Sequence, residues 1–476
     1  MNASAAEGGS RPWWLDSPLS IHDSALWIED CSVSELARRF GTPIYVVSES
    51  QLRRNARHFR SAFEAEWKEG PVRILPSLKA NLSLALRSLL NQEQTGCDTF
   101  GSTELSAALQ TGVNPAWISV NGATKDDALL ETAVRAGARI TLDSADEARR
   151  ARVVARALGK RAQVRFRLRP RYEGMDRPSD FYAETVTIGR AAQQYKPGIP
   201  ITELLPLGAD VLTWPELDVS GVMVHLGRHT TDLEMWARMV ESTVALLGEL
   251  HRHWGGWLPR EIDLGGGFAS PRDPTGRLTP RGRERAAETR APSIEAYAAV
   301  MAGTLKRALP GVGIEPKGIA LEVEPGRALY ADAGIHVCRV RHVKEQLEPL
   351  AWRWVETDTT EMFLLDSLVE NARWTPVVCE RADAPPAFEA DVVGVSCGFD
   401  VIVAQARLPT TNPGDTIALL DTGAYQDACA NNFNGLPRPG TVLVSADRAE
   451  WIKLPESYEE VFRRDRIPER FRGGAR

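Results

Sequence analysis

The sequence lacks the features that mark membrane, secreted and metal-binding proteins. It has no run of about 18 apolar residues, so we expect no membrane-spanning helix. The first ten residues contain no basic segment followed by an apolar one, so we expect no secretory signal. The six cysteines form neither a CxxC pair nor a cluster with histidine. We therefore expect no disulfide framework and no metal site, and the default location is the cytoplasm.

An excess of basic residues is also missing. Lysine and arginine together number 57 against 63 acidic residues, which gives a net charge of −6 and excludes an extended nucleic-acid-binding surface. Hydrophobic residues make up 43% and charged residues 25%, as in ordinary globular proteins, so disordered and collagen-like classes are excluded. A chain of 476 residues has room for two or three domains.

Short apolar runs alternate with longer segments of helical spacing over about 250 residues. Alternation of this kind predicts parallel strands joined by helices, and eight repeats predict a (β/α)8 barrel. A doubly wound open sheet is the alternative, but no GxGxxG follows the first run. The eight runs are Val72–Leu78, Gly96–Phe100, Trp117–Asn121, Arg139–Asp143, Val164–Leu168, Val219–His225, Glu261–Leu264 and Gly318–Glu324.

Beyond Arg327 the pattern changes to β-rich runs separated by Pro, Gly and Asp, which predicts a separate all-β domain. We therefore divide the chain into an N-terminal segment, 1–45, a barrel, 46–327, and a C-terminal β domain, 328–476. The N-terminal segment is expected to pack with the β domain. The β-rich runs are His336–Lys344, Trp352–Thr357, Asp391–Ser396, Thr416–Asp421 and Thr441–Val444.

Candidate catalytic and ligand-binding residues lie in or directly after several of the barrel runs. Lys79 follows the first run, Asp98 lies in the second, and His225 ends the sixth. The seventh run leads into the triple glycine 265–267, and the eighth into Glu324-Pro325-Gly326-Arg327. Because the carboxyl ends of barrel strands meet at one mouth, these features are expected to converge.

Each of these features, taken alone, also has a purely structural interpretation. A lysine after a strand is usually a solvated surface residue, a lone histidine is usually structural, and a glycine run can be a tight turn.

Taken together, these features match the chemical groups of one cofactor. Backbone N–H groups of the glycines and the guanidinium of Arg327 can bind a phosphate. A buried lysine of lowered pKa can form a Schiff base with an aldehyde, and a carboxylate can keep a pyridine nitrogen protonated. Phosphate, aldehyde and pyridine together describe pyridoxal 5′-phosphate.

The ordered set of motifs resembles the fold-type III pyridoxal-phosphate-dependent decarboxylases, the diaminopimelate/ornithine decarboxylase group. The matching segments cover about nine tenths of the chain in family order. They are Gly41–Val46, Leu78–Asn81, Val224–Gly227, Asp263–Phe268, Glu324–Arg327, Gly423–Tyr425 and Asn432–Pro439.

The resemblance implies a role for each matching position. Lys79 would carry the cofactor covalently, Glu324 would pair with its pyridine nitrogen, and His225 would stack on its ring. Asp98 would support His225 or the cofactor. Cys397 would protonate the substrate carbon after CO2 leaves. The residues that would hold the phosphate are Gly265, Gly266, Gly267, Gly326, Arg327 and Tyr425.

The resemblance also implies a homodimer with shared active sites, because in the family this cysteine reaches across the dimer interface. Decarboxylation is favoured over the related racemases or epimerases, which place an arginine near the pyridine nitrogen where this chain has Glu324. A non-catalytic homologue that regulates a true decarboxylase is the other alternative. Intact Lys79, Glu324 and Cys397 argue against it.

Departures from the family pattern fall where substrate is expected. Glycine follows Cys397 in place of the usual acidic residue, and the run continues with Phe399 and Asp400. Arg228 stands where the family has a serine that touches phosphate, and the segment around Glu361 lacks the family arginine. Arg228, Glu361, Phe399 and Asp400 are therefore candidate substrate-binding residues. We expect a decarboxylase with altered specificity, acting on a modified or carrier-bound amino acid in specialised metabolism, with diaminopimelate not excluded.

Overall fold

The computed structural model describes residues 12–172, 175, 188–225, 231–272, 290–366 and 374–472. Within these ranges the chain forms two compact units. One unit combines residues 12–48 with 334–472, and the other combines residues 49–272 with 290–333. Among the described helices, none has the length and apolar character that crossing a membrane requires.

The N-terminal residues form a small antiparallel sheet and one strand that joins a larger sheet. β1 (Leu19–His22), β2 (Ala25–Ile28) and β3 (Cys31–Ser32) form the small sheet. A helix, Val33–Phe40, leads to β4, Ile44–Ser48, whose five residues are all buried.

Eight parallel strands of the second unit form the predicted barrel, with neighbours in sequence order around it. They are β5 (Val72–Ile74), β6 (Cys97–Thr99), β7 (Ile118–Val120), β8 (Arg139–Leu142), β9 (Ala162–Arg167), β10 (Leu217–Met223), β11 (Glu261–Asp263) and β12 (Ala320–Val323). β12 pairs with β5. Between β5 and β6, Gly96 N donates to Ile74 O at 2.9 Å, and Ser77 and Asp98 form a parallel bridge. The prediction of eight strands in a (β/α)8 barrel is confirmed.

Helices connect the barrel strands, and their ends follow the capping rules of the sequence. Asp126 caps one helix by accepting from Leu129 N, and Gly137, with φ of +80°, ends it in the left-handed conformation. The helices are Glu49–Glu66, Leu84–Gln92, Ser102–Gln110, Asp127–Ala136, Ala145–Ala157, Ile188–Gln194, Ile201–Val211, Leu233–His253, Ile294–Ala308 and the short Arg327–Tyr330.

The interior of the barrel contains a layer of ion pairs. Arg139 contacts Glu261 and Glu322, each at 2.7 Å. Arg165, which is fully buried, contacts Glu322 at 2.8 Å and Asp263 at 2.7 Å. Removing one partner from such a buried pair typically costs about 3–5 kcal/mol, because it leaves the other charge buried without compensation.

The first unit contains the larger β-sheet. Its remaining strands are β13 (Gly334–Gln346), β14 (Trp352–Thr357), β15 (Pro376–Val378), β16 (Phe388–Val393), β17 (Val401–Leu408), β18 (Thr416–Leu420), β19 (Gly440–Ser445) and β20 (Arg448–Lys453). The main path is β17-β16-β14-β13-β4-β19-β20, with β18 pairing β13 and β15. Short helices, Gln426–Cys429 and Tyr458–Val461, accompany it. β4 lies between β13 and β19, which identifies the sheet that the N-terminal segment joins.

Candidate active site

Lys79 lies at the carboxyl end of β5, in a single 3₁₀ turn, Leu78–Ala80. Its Nζ lies 3.3 Å from Oδ2 of Asp98, and its side chain is 44% exposed. The expectation of a buried amine is therefore wrong: the lysine projects into the mouth and is held by an ion pair. An accessible amine with a fixed neighbour is suited to attack an aldehyde.

Asp98, at the centre of β6, is buried and accepts hydrogen bonds from several donors. Ser77 Oγ donates to its Oδ2 at 2.5 Å, and Asn121 Nδ2 donates to its Oδ1 at 2.7 Å. Burial raises the pKa of Asp98, but the ammonium of Lys79 and these donors outweigh burial and lower it below the ordinary value. Asp98 therefore stays ionised and anchors Lys79. The structure places it beside the lysine.

Glu324 follows β12 and is buried at the same end of the barrel. Asn121 Nδ2 donates to its Oε1 at 2.5 Å, and a guanidinium nitrogen of Arg165 lies 3.4 Å away. Burial, and then repulsion from Asp263 and Asp98, raises the pKa of Glu324 well above its ordinary value. The raised pKa favours the protonated carboxyl group, and a basic nitrogen bound beside it would favour the ionised one.

The triple glycine forms a tight turn after β11. A Cβ on Gly265 would lie 2.6 Å from Val224 O, and a Cβ on Gly266 would lie 2.2 Å from Glu324 O. Gly265 and Gly267 also have positive φ, of +68° and +113°. Only glycine allows this approach, so the turn is built to bring backbone close to its neighbours and to a ligand.

His225 and Arg327 flank the glycine turn and the Glu324 turn. His225 Nδ1 accepts a hydrogen bond from Gly266 N at 3.4 Å. Arg327 begins a short helix and is buried. Ser77 N donates to Pro325 O at 3.1 Å, which places the lysine turn next to the Glu324–Arg327 turn. The structure therefore brings the predicted lysine, carboxyl groups, histidine, glycines and arginine to one end of the barrel.

Three residues of this site were missed in the sequence. Asn121 ends the third predicted run, and its amide bridges Asp98 and Glu324. Arg165 and Asp263 lie within strands and support Glu324 from inside the barrel. The signal for Arg165 was present, because arginine alternates with apolar residues along β9, and such alternation in a barrel strand indicates an inward-facing polar residue.

The first unit carries Cys397, in the loop that joins β16 to β17. The thiol is exposed, and Asn434 contacts the residue twice. Cys397 N donates to Asn434 Oδ1 at 3.0 Å, and Asn434 Nδ2 donates to Cys397 Sγ at 3.5 Å. The loop therefore holds the sulfur in a defined orientation.

Asp400 lies in the same loop, and its carboxylate is buried. Oδ1 accepts from Thr360 Oγ1 at 3.0 Å and from Glu361 N at 2.7 Å, and Oδ2 accepts from Ser396 N at 2.7 Å. We therefore correct the expectation that Asp400 binds substrate, because the loop and its neighbouring turn occupy both oxygens. Phe399, by contrast, is 89% exposed.

Three other predicted residues complete the account. Glu361 is half-buried at the start of a 3₁₀ turn, Glu361–Phe363. Tyr425 has a φ of +67° and precedes the helix Gln426–Cys429. Arg228 lies outside the described residues.

Replacing Asp400 with alanine is expected to destabilise the loop of Cys397. Three donors lose a charged acceptor, and hydrogen bonds to charged groups contribute about 1.5–3 kcal/mol each before the loop relaxes. We expect the free energy of unfolding to fall by about 2–4 kcal/mol, measured by denaturant titration. The exposed carboxylate of Asp383, changed to alanine in the same unit, should alter stability by less than about 0.5 kcal/mol. Equal effects of the two changes would contradict the assignment.

The barrel mouth fits pyridoxal 5′-phosphate on two structural grounds. The glycine turn packs so closely that a Cβ on Gly265 or Gly266 would clash with the backbone of Val224 or Glu324, so its own backbone reaches the barrel mouth. The donor set combines an accessible amine, a buried carboxyl group of raised pKa and a buried arginine. These match an aldehyde, a pyridine nitrogen and a phosphate respectively.

Comparisons with known proteins agree with this chemistry. The family model for the pyridoxal binding domain of the pyridoxal-dependent decarboxylases matches residues 49–331. Diaminopimelate decarboxylase of Archaeoglobus fulgidus is 28% identical over 451 residues, which cover 94% of this chain and 99% of the relative. Diaminopimelate decarboxylase of Zymomonas mobilis is 28% identical over 450 residues, covering 94% and 98%.

Solved structures show the same architecture. Diaminopimelate decarboxylase from M. jannaschii in complex with L-lysine superimposes with a TM-score of 0.83 at 25% identity, covering 95% of this chain and 98% of the other. Lysine/ornithine decarboxylase from Vibrio vulnificus complexed with putrescine, at 18% identity and covering 87% and 97%, shares the fold with a TM-score of 0.68. The chain belongs to the pyridoxal-dependent decarboxylase family and is a pyridoxal-phosphate-dependent carboxy-lyase acting on an amino acid.

Proposed function

We propose that the enzyme decarboxylates an amino acid as the diaminopimelate decarboxylases do, but with altered substrate specificity. The Cys397 loop supports this proposal most directly. Gly398 contributes no side chain, and the carboxylate of Asp400 is engaged within the loop. Neither residue offers a carboxylate to a distal ammonium, and the exposed ring of Phe399 offers an apolar surface instead. A modified or carrier-bound amino acid fits this loop better than a free diamine.

Each residue has a proposed task in binding the cofactor. Lys79 would hold its aldehyde, Glu324 its pyridine nitrogen, and His225 the face of its ring. The phosphate would be bound by the glycines 265–267, Gly326, Arg327 and Tyr425. When bound, pyridoxal phosphate supplies the electron sink that accepts the bonding electrons as CO2 leaves.

Cys397 is proposed to supply the proton that replaces the lost carboxylate. The exposed thiol can donate a proton to the α-carbon, and the amide of Asn434 then donates a hydrogen bond to the sulfur as negative charge develops on it. Donors to a charged acceptor bind about twice as strongly as donors to a neutral one, so the contact favours proton release.

We further propose a homodimer in which Cys397 of one protomer completes the site of its partner. The exposed apolar side chains of Val395, Phe399 and Phe433 in the two segments around Cys397 support a contact surface there. The six cysteines are free thiols, which is consistent with the proposed cytoplasmic location.

Assaying CO2 release across a panel of amino acids tests the proposed specificity. The panel should contain diaminopimelate, lysine, ornithine and amino acids whose distal amine is acylated or absent. We expect kcat/KM for the best substrate without a free distal amine to exceed that for the diamines by at least about 10-fold. The reason is that the distal ammonium of a diamine would find no carboxylate partner in the Cys397 loop. Efficient turnover of diaminopimelate or ornithine alone would refute the altered specificity.

The same assay separates the two alternative functions. A racemase or epimerase would invert the α-carbon of a panel member without releasing CO2, which chiral chromatography detects. A non-catalytic homologue would bind pyridoxal phosphate and leave every substrate unchanged. Glu324 favours decarboxylation over racemisation, and intact Lys79, Glu324 and Cys397 favour a catalyst over the non-catalytic homologue.

A further inference from the structure

Asn121 is a buried amide that joins two carboxyl groups of the active site. Its Nδ2 donates to Asp98 Oδ1 at 2.7 Å and to Glu324 Oε1 at 2.5 Å. Asp98 in turn holds Lys79. One amide therefore links the residue assigned to the pyridine nitrogen with the residue that anchors the covalent lysine.

Two hydroxyl groups fix the orientation of this amide. Ser119 Oγ lies 2.7 Å and Thr141 Oγ1 lies 2.5 Å from Asn121 Oδ1. Arg165 donates to both hydroxyl oxygens, so the proton of each hydroxyl is left for the amide oxygen. Turned by 180°, the amide would place its oxygen against two carboxyl groups. The network therefore allows only the arrangement with Nδ2 towards Asp98 and Glu324.

The surrounding charges explain why a neutral donor is needed here. The acidic groups that face it are Asp98, Asp263, Glu322 and Glu324. Lys79 contacts Asp98, Arg165 contacts the other three carboxyl groups, and Arg73 and Arg139 contact Glu322. Burial raises the pKa of both Asp263 and Glu324, and repulsion adds to it, from Glu322 on Asp263 and from Asp263 and Asp98 on Glu324. A donor without charge offsets part of this repulsion and adds no charge of its own.

We propose that Asn121 is a positioning residue that aligns Glu324 and Asp98 for the cofactor. It acts through these two carboxyl groups and through Lys79. The inference rests on pyridoxal phosphate binding at Lys79 and is independent of the identity of the amino-acid substrate.

Two substitutions at this position separate positioning from packing. Asn121→Asp keeps the shape and replaces the donor with an acceptor, whereas Asn121→Ala leaves a cavity and no charge. Positioning predicts that the aspartate variant binds the cofactor more weakly than the alanine variant. We expect losses of about 10²-fold and about 10-fold in affinity, as the removal of hydrogen bonds to charged groups implies. Protein stripped of cofactor is titrated with pyridoxal 5′-phosphate and its visible absorbance is followed.

The pH dependence provides a readout that packing alone would not change. Lowering the pH protonates the added carboxyl group, so the deficit of Asn121→Asp should shrink towards that of Asn121→Ala. The deficit of the alanine variant should stay constant over the same range. Thr141→Val, which keeps Asn121 but removes one hydroxyl that orients it, should weaken binding by about 3- to 10-fold.

A matched control is available within the same domain. Asn91 is likewise an amide donor, but its acceptors are the backbone carbonyls of Thr111 and Gly112, and Asn91→Asp should leave cofactor affinity unchanged. The inference is overturned if Asn121→Ala binds the cofactor more weakly than Asn121→Asp at every pH. If Asn121→Asp does not fold, unchanged affinity in Thr141→Val overturns it instead. A wild-type protein that takes up no cofactor would refute the assignment of Lys79, which is a different outcome.

Discussion

Replacing Lys79 with alanine is expected to remove both the visible absorbance of the bound cofactor and the decarboxylase activity. The substitution deletes the only amine that contacts Asp98 in the described part of the barrel mouth. Covalent attachment of the cofactor is lost, so we expect kcat to fall by more than about 10⁴-fold. Absorbance spectra and CO2 release measured on the same preparation check this result.

The arginine variant separates the charge of Lys79 from its nucleophilicity. Lys79→Arg keeps a cation beside Asp98 but has no amine that can condense with an aldehyde. It should fold normally and remain as inactive as the alanine variant. Lys306, an exposed lysine paired with Glu69, serves as the control, and Lys306→Ala should leave activity intact. Borohydride reduction followed by peptide mapping should place the trapped adduct at position 79. An adduct that persists on another lysine in Lys79→Ala would refute the assignment.

The sequence was sufficient to predict the barrel because its signals are local and repeated. Each of the eight apolar runs contains the strand that the structure has, apart from shifts of one or two residues at the ends. The run Val164–Leu168, for example, corresponds to Ala162–Arg167. Because the pattern is repeated eight times, an error in predicting the ends of one strand does not change the predicted fold.

The β domain was harder to predict because its pairings are distant in sequence. β4 pairs with β13 and β19, which lie about 290 and 400 residues away along the chain. β15, β17 and β20 were not predicted at all. The eight residues of β17 follow the Cys397 loop and alternate only partly in burial, so the period-two signal is weak.

Some residues of the site could be predicted from their position in the sequence, and others could not. Lys79, Glu324 and the glycine turn follow strands, where topology alone places them at the mouth. Asp400 shows the limit of this reasoning. As an acidic residue near Cys397 it was a natural substrate contact, but the backbone N–H groups around it determine its role. Only coordinates reveal which acceptor a buried donor uses.

Replacing Glu324 with glutamine is the second change with a large expected effect. Glutamine has the shape of the protonated carboxyl group but cannot hold a proton on a pyridine nitrogen through an ion pair. An opposite charge at contact shifts a pKa by about 1–3 units, so the nitrogen loses its positive charge near neutral pH. We expect kcat to fall by about 10²–10³-fold, as when one electrostatic contact to the developing charge is removed.

In the cofactor-free protein, Glu324→Gln should preserve or raise stability, whereas it lowers the activity of the loaded enzyme. The pKa of Glu324 is raised in the folded protein, by burial and then by Asp263 and Asp98. A carboxyl group with a raised folded pKa makes folding less favourable as the pH climbs from its unfolded pKa towards its folded pKa. Wild-type protein without cofactor should therefore lose stability over that range. Glu324→Gln removes this dependence, so its free energy of unfolding should vary less with pH and match or exceed the wild-type value at the upper end.

Two measurements on one variant thus distinguish a catalytic role from a structural one. Denaturant titration of the stripped protein at several pH values measures how much the Glu324 carboxyl group lowers the free energy of unfolding. CO2 release by the loaded enzyme measures how much the same group contributes to catalysis. The exposed Glu315, changed to glutamine, should alter neither. If Glu324→Gln destabilised the stripped protein at all pH values, the carboxyl group would be an ionised structural partner of Arg165. In that case a pyridine nitrogen would have to compete with the buried guanidinium of Arg165 for the same carboxylate, and the variant would lose less activity than expected.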